Sequence, residues 1–338
     1  MGIEIIGTGR AIPAKRIPNE ALAATLDTND EWIRSHTGIG ARHIADERTA
    51  CSDLAAEAAR NALALAIERG ACDEKTLEDL ALTVDMVIVG TSTADYWCCP
   101  ATACIVQHAI GAKRAGAMDI VNACSGFIYA LETGAGLLSI NAERRRALVI
   151  GAEVLSRFAD WSDRSTCVLF GDGAGAALLE KTERDGGVLR TLLGADGSGA
   201  EDLIMRQGGS RNPFKKGDAL AMPPHIEMNG RAVYAFAVNA ITETVTKLLE
   251  AERLTMEDIA LIVPHQANAR IVHAAAKRLA IPEDKFFLNI EEYANTSAAS
   301  IPIALDELNR NGRLRKGDRI LCAAFGAGLT YGGAIITW

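Results

Sequence analysis

The sequence predicts an α/β protein built from two similar halves, and three observations carry that reading. Apolar segments of strand length alternate with longer segments of helical periodicity along the chain. The order of segments in residues 86–151 recurs in residues 260–328. The composition, with 31 glycines among 338 residues and long alanine-rich stretches, suits closely packed α/β layers better than a sandwich or a disordered chain.

Taken in order, "IEIIGTG" (Ile3 to Gly9) predicts the first strand and "CSDLAAEAARNALALAIERG" (Cys51 to Gly70) the first long helix. The strand "MVIVGTS" (Met86 to Ser92) and the helix "PATACIVQHAIG" (Pro100 to Gly111) follow. A short strand, "MDIV" (Met118 to Val121), then leads into a helix whose Phe127, Ile128, Leu131, Leu137 and Leu138 have helical spacing. "RALVIG" (Arg146 to Gly151) is the next strand.

The second half repeats this order. "ALIVPHQANARIVHAAAKRLAI" (Ala260 to Ile281) parallels the strand and helix after Met86, "FFLNIEEYANTSAASIPIALDEL" parallels "MDIVNACSGFIYALETG", and "DRILCAAFGAG" parallels "RRALVIGAEV". Arg146 and Arg319 are 173 positions apart, and the same offset carries Cys124 onto Ser297, two residues beyond Asn295. The predicted division is residues 1–180, carrying Cys124, and residues 181–338, carrying His265 and Asn295. The duplication would set the two groups of loops face to face.

The formal charge of −8 argues against broad nucleic-acid binding. No run approaches the roughly eighteen uninterrupted apolar residues of a membrane span. The N-terminus enters a strand at once, without the features of a signal peptide, and Ile6 breaks a myristoylation signal. The eight cysteines form no C-x-x-C pair and meet no histidine cluster. These features predict a cytoplasmic protein with reduced thiols and no metal site.

Three segments carry polar groups at strand-to-helix turns. In "VNACSGFIYALETG", Cys124 is either a small buried hydrophobe or a nucleophile whose pKa the following helix lowers. In "IVPHQANARI", His265 stands past an apolar strand, as a hydrogen-bonded structural residue or a reacting one. Asn295, in "EEYANTSAAS", has the position of an ordinary N-cap. On matched turns facing one cleft, the three make a nucleophile with two hydrogen-bonding partners. The glycine-rich "FGAGLTYGG" adds backbone N–H groups suited to an oxyanion.

At this point the motifs "NACSGF", "VPHQANARI", "NTSAASIP", "LFGDGAGAALL", "NDEWI…TGI" and "FGAGLTYGGAI" resemble those of β-ketoacyl-acyl carrier protein synthase III, in register from about residue 3 to Trp338. The resemblance implies a thiolase-like fold, with duplicated α/β halves in a five-layered αβαβα arrangement. It also implies a cytoplasmic homodimer that joins an acyl-coenzyme A to malonyl-acyl carrier protein and starts fatty-acid synthesis without metal or redox cofactor. By the same resemblance Cys124 is the nucleophile, while His265 and Asn295 promote malonyl decarboxylation and hold the enolate oxygen. Two neutral donors aimed at that oxygen make chemical sense, since negative charge develops there as carbon dioxide leaves. The resemblance further assigns Trp32, His36, Arg164 and Asn268 to coenzyme A, Cys99 and Phe325 to the acyl pocket, and the Ala327 N–H to the oxyanion. It assigns Gln266, Ala267, Asn268, Ala269 and Arg270 to the carrier-protein docking segment.

Docking has an electrostatic argument of its own. Carrier proteins are acidic and so is this chain, so their encounter needs a local positive face. Arg270, Lys277 and Arg278, spaced i, i+7, i+8 on one predicted helix, supply it.

Three positions depart from the family pattern. His36 replaces a common arginine, Ala327 a glycine, and Cys99 a phenylalanine that reaches across the dimer in acetyl-preferring members. They leave the reaction class intact and open the acyl substrate to chains longer than acetyl or branched. The competing readings are a secondary-metabolite starter-unit ketosynthase or acyltransferase of the same superfamily, a non-catalytic carrier-protein-binding paralogue, and a dinucleotide-dependent oxidoreductase. The last is disfavoured because "GDGAGA" (Gly171 to Ala176) opens no helix.

Overall fold

The computed structural model describes residues 2–215 and 224–338. Nine of its strands form one continuous array: β1 (Gly2–Ala11), β2 (Met86–Gly90), β3 (Gly116–Ile120), β4 (Arg146–Val154), β5 (Asp172–Thr182), β6 (Gly187–Ala195), β7 (Leu261–Pro264), β8 (Arg319–Gly326) and β9 (Thr330–Thr337). Their spatial order is β7-β8-β9-β6-β1-β5-β4-β2-β3.

This order is one pattern used twice. β3, β2 and β4 run parallel, and β5 and then β1 follow antiparallel. In the other half, Phe286 bridges Ile262 in parallel, β7 and β8 run parallel, and β9 and β6 follow antiparallel. The two arrays meet at a single parallel bridge between Ile3 and Gly187.

Strand alternation sorts the apolar side chains into three cores. Leu148 and Ile150 face outward onto helix α1 (Cys51–Glu68), whereas Ala147 and Val149 face the middle of the molecule. Likewise Leu321, Ala323 and Phe325 point out toward helices α3 (Gly230–Glu252) and α4 (Ala269–Leu279), and Ile320, Cys322 and Ala324 point in. Helices α2 (Gly126–Ile140) and α5 (Ser300–Arg310) fill the centre and touch both arrays. The result is the expected αβαβα stack, and neither half buries its inner face without the other. The span Ala123–Ile140 is apolar and long enough to cross a membrane, yet Phe127, Ile128, Leu131 and Leu138 are buried in this central layer.

Close approach explains the glycine spacing of β1. A Cβ on Gly7 or Gly9 would stand 2.3 Å from a carbonyl oxygen of α1, at Ala62 and Ala58 respectively. Small residues on both surfaces let strand and helix backbones touch. "GDGAGA" opens β5 and is followed by no helix, so the context of a dinucleotide site is missing.

Candidate active site

Cys124 stands where β3 turns toward α2. A single 3₁₀ turn, Ala123–Ser125, makes the connection, and Ala123 takes φ 45° to redirect the chain. The β8 end lies directly against this turn, for a Cβ on Gly326 would be 2.7 Å from the Cys124 nitrogen. The matching turn of the second half is Ser297–Ala299, with φ 48° at Ser297, and it leads into α5. The turns are thus in register one residue beyond the predicted offset, and Ala298 rather than Ser297 is the counterpart of Cys124.

The expected lowering of the Cys124 pKa is not what the surroundings produce. Burial pushes the thiol up to about 12, although the Ser297 hydroxyl acts in favour of the thiolate. Burial is the largest influence on the thiol and acts against its charged form. In the resting site Cys124 is a thiol.

His265 follows the last residue of β7 and is 1% exposed. Its Nδ1 lies 2.7 Å from Ser300 Oγ, and its ring meets Phe325 edge-on. The Gln266 N–H points at the same Ser300 oxygen at 3.4 Å. The Ser300 hydroxyl has no other acceptor among the described residues, so its proton is assigned to the bond with Nδ1 and the imidazole proton to Nε2. Nε2 is buried without a protein partner among the described residues. Burial lowers the His265 pKa to about 3, so the ring is neutral.

Asn295 is held by backbone bonds to Leu169 and Gly171 and by a parallel bridge with Phe170. Its Oδ1 accepts the Ser297 N–H at 2.8 Å, which leaves Nδ2 as the free donor end. The N-cap role anticipated for a lone asparagine here is replaced by this tighter turn. Cys124, His265 and Asn295 all line one cavity of about 580 Å³ with largely apolar walls.

Two residues of this site were not legible as such. Ser300 belongs to a run that reads only as small helical residues. Glu153, fully buried at the end of β4, accepts from the Ser297 hydroxyl at 3.0 Å and the Thr93 hydroxyl at 2.7 Å. A carboxylate closing an otherwise apolar buried strand was the available signal.

Trp32, His36 and Arg164 stand together at the cavity mouth. The Trp32 and His36 rings stack at 4.4 Å, and the Arg164 guanidinium lies 5.4 Å from the Trp32 ring centre. Asn268 also lines the cavity, but both ends of its amide are engaged. It donates to the His36 carbonyl at 3.0 Å and caps α4 by accepting the Arg270 N–H at 2.9 Å.

The docking segment divides. Arg270, Lys277 and Arg278 are exposed on α4. Gln266 is not available to a partner: it is 1% exposed and completes the backbone bonds of Pro264, Phe287 and Asn289. Ala269 is also buried, packed beneath Gly38 where a Cβ would stand 2.6 Å away, so both residues support the start of α4 from below. Ala267 is half-buried on the cavity wall.

Phe325 and Ala327 line the cavity, and the Ala327 N–H bonds no backbone carbonyl among the described residues. Cys99 does not reach the cavity of its own chain. It is exposed, beside exposed Tyr96 and Trp97, in the loop after β2.

Comparison with known proteins agrees with this geometry. Residues 118–197 match the family model for 3-oxoacyl-(acyl-carrier-protein) synthase III, and residues 249–338 match the model for its C-terminal part. A β-ketoacyl-(acyl-carrier-protein) synthase III of Clostridium perfringens is 47% identical over 334 residues, covering 98% of each chain. The crystal structure of the synthase III from Aquifex aeolicus superposes with TM-score 0.87 at 41% identity over the whole of both chains. That from Thermus thermophilus gives 0.88 at 41% identity over 99% of each. A thiol, a neutral imidazole and an amide on duplicated turns, in a chain alike to these over its full length, lead to one conclusion: the chain belongs to the β-ketoacyl-acyl carrier protein synthase III family, the condensing acyltransferases that start fatty-acid synthesis.

Proposed function

We propose that Cys124 takes an acyl group from coenzyme A, and that His265 and Asn295 then promote decarboxylation of a malonyl-carrier protein. One observation carries this reading. Nε2 of His265 and Nδ2 of Asn295 are left as donors on the cavity that holds the thiol, because Ser300 and the Ser297 N–H occupy their other ends. Both groups are neutral, so they bind developing negative charge without being quenched by the malonyl carboxylate. The carbanion released with carbon dioxide attacks the acyl-cysteine, and the electrons for the new bond come from decarboxylation. The reaction so written draws on no metal or redox cofactor.

Trp32, His36 and Arg164 form a stacked entrance suited to a flat, phosphate-bearing nucleotide. Arg270, Lys277 and Arg278 form the positive face for an acidic carrier protein. The reading includes a cytoplasmic homodimer: β3 is an edge strand, Val121 beside it is 73% exposed, and Tyr96 and Trp97 are exposed nearby. A second copy covering this edge removes the hazard of an unpaired apolar strand and carries Cys99 toward the neighbouring cavity. With cysteine in place of a larger side chain, primers longer than acetyl are accepted.

Intact-mass measurement after incubation with a series of acyl-coenzyme A thioesters tests this reading. The expected result is one adduct, located on Cys124, for acetyl and for longer or branched chains. A Cys124→Ser variant that keeps normal condensing activity would refute it.

A further inference from the structure

Beneath the reacting thiol lies a buried carboxyl group that the reaction as written does not use. Glu153 is fully buried and collects donors from three directions: the Thr93 hydroxyl at 2.7 Å, the Ser92 N–H at 3.2 Å and the Ser297 hydroxyl at 3.0 Å. Ser297 lines the cavity with Cys124, and their two turns pack directly against each other. The Ser297 hydroxyl donates to the carboxylate and, by hydrogen bonding, favours the Cys124 thiolate, so it links the two groups. A structural role alone would be served by any neutral acceptor at this depth, whereas burying a carboxyl group is costly.

We propose that Glu153, acting through the Ser297 hydroxyl, takes the Cys124 proton as the thioester is attacked and returns it when the cysteine leaves. Glu153 touches no substrate; it positions a proton. The inference rests on Cys124 being the acylated residue. In the first half-reaction the S–H bond breaks and the thiol proton passes to Ser297 Oγ. Ser297 gives its own proton to Glu153, the sulfur bonds the acyl carbon, and coenzyme A departs as a thiolate that solvent protonates. In the second half-reaction the malonyl carbanion bonds the acyl carbon and the Cys124–acyl bond breaks. The proton then travels back from Glu153 through Ser297 to the departing sulfur. Glu153 ends as it began, and charge balances in both halves.

Other groups nearby are poor acceptors. His265 is neutral with its pKa lowered to about 3, so it holds a transferred proton weakly. Burial raises the Glu153 pKa to about 7, which suits a group that must both take and release a proton near neutrality. The other titratable groups around it are Cys51, whose thiol burial raises further, and Asp95, which bonds Ser52.

The test follows alkylation of the Cys124 peptide by iodoacetamide from pH 5.5 to 9.5, in wild type, Glu153→Gln, Glu153→Asp and Ser297→Ala. In the wild type the rate is expected to rise with the ionised fraction of Glu153 and level off above about pH 7. In Glu153→Gln and Ser297→Ala the plateau is lost, the rate climbs steadily with pH, and reaction at pH 7 slows at least about tenfold; Glu153→Asp restores part of the plateau. Wild-type profiles in both Glu153→Gln and Ser297→Ala would overturn the proposal, and if Glu153→Gln fails to fold, Ser297→Ala decides alone. Parallel mass measurement with acetyl-coenzyme A separates the two claims. No Cys124 adduct in the wild type refutes the acyl-enzyme itself, whereas a normal adduct with unchanged profiles refutes only the relay.

Discussion

Replacing Ser300 with alanine removes one oxygen atom, 2.7 Å from Nδ1 of His265, and leaves the cavity lining itself in place. Two costs follow. The net loss of a hydrogen bond is about 1 kcal/mol, and a buried nitrogen left without a partner costs about 1–3 kcal/mol. The second cost is partly relieved by moving the imidazole proton to Nδ1, and that move takes the donor away from Nε2, where the enolate oxygen forms. Together they should weaken stabilisation of the decarboxylation transition state by about 1–2 kcal/mol, a roughly five- to thirtyfold fall in kcat. Removing the whole donor with His265→Ala should cost more, about 10²- to 10³-fold by analogy with other oxyanion donors. The assay is release of labelled carbon dioxide from malonyl-carrier protein, run beside the rate of Cys124 acylation. Decarboxylation should fall while acylation stays within about twofold. Undiminished decarboxylation in Ser300→Ala, or an equal loss in both steps, would refute the argument that Ser300 sets the tautomer of His265.

Other perturbations have equally definite outcomes. His265 has a pKa of about 3 when folded against an ordinary 6.5, so the unfolded chain binds the extra proton and stability falls as pH drops through that window. The difference in unfolding free energy between wild type and His265→Ala should therefore change by about 1.4 kcal/mol per pH unit between pH 6 and 4, measured in urea; a constant difference counts against a buried neutral imidazole. Glu153 runs the opposite way, since its folded value of about 7 lies above the ordinary 4.5. Its contribution is present at low pH and is lost as pH rises from 4.5 through 7, so Glu153→Gln should change the slope with the reverse sign. Gly326→Ala places a Cβ 2.7 Å from the Cys124 backbone nitrogen, so it should displace the nucleophile turn, slow acylation at least about tenfold and lower the melting temperature. Reversing charge at Arg270, Lys277 and Arg278 should raise KM for the carrier-protein substrate and flatten its salt dependence, while acylation from coenzyme A thioesters is spared. An equal loss with both substrates would show that α4 was damaged.

Much of the molecule was legible before its structure was known, because the signals are local. Strand and helix periods, and the small residues between them, mark each turn within a few positions of chain. Cys124 and His265 stand out because each follows a strand and precedes a helix, whereas Asn295 follows the short helix Ile290–Tyr293 and not the strand its sequence suggested. Repetition of that pattern also told which loops would face each other, although the offset of 173 missed by one residue at the nucleophile turn. The exposed cations Arg270, Lys277 and Arg278 could be placed on one side of a helix from spacing alone.

Tertiary packing decided what lies beneath those positions. Gln266 reads as part of a docking motif, yet its amide is consumed by backbone groups at Phe287 and Asn289. Ser300 reaches His265 across 35 positions of chain, and Ser297 reaches Glu153 across 144. No local pattern encodes such pairs. The ionisation of the site belongs to the same class. A cysteine before a helix reads as an acidified thiol, but the two halves bury His265 and Glu153 and cover Cys124 in part, withholding much of the water that would stabilise their charged forms. Desolvation depends on how many atoms of distant segments surround a group, so its outcome is set only when both sheets and the helices between them are in place.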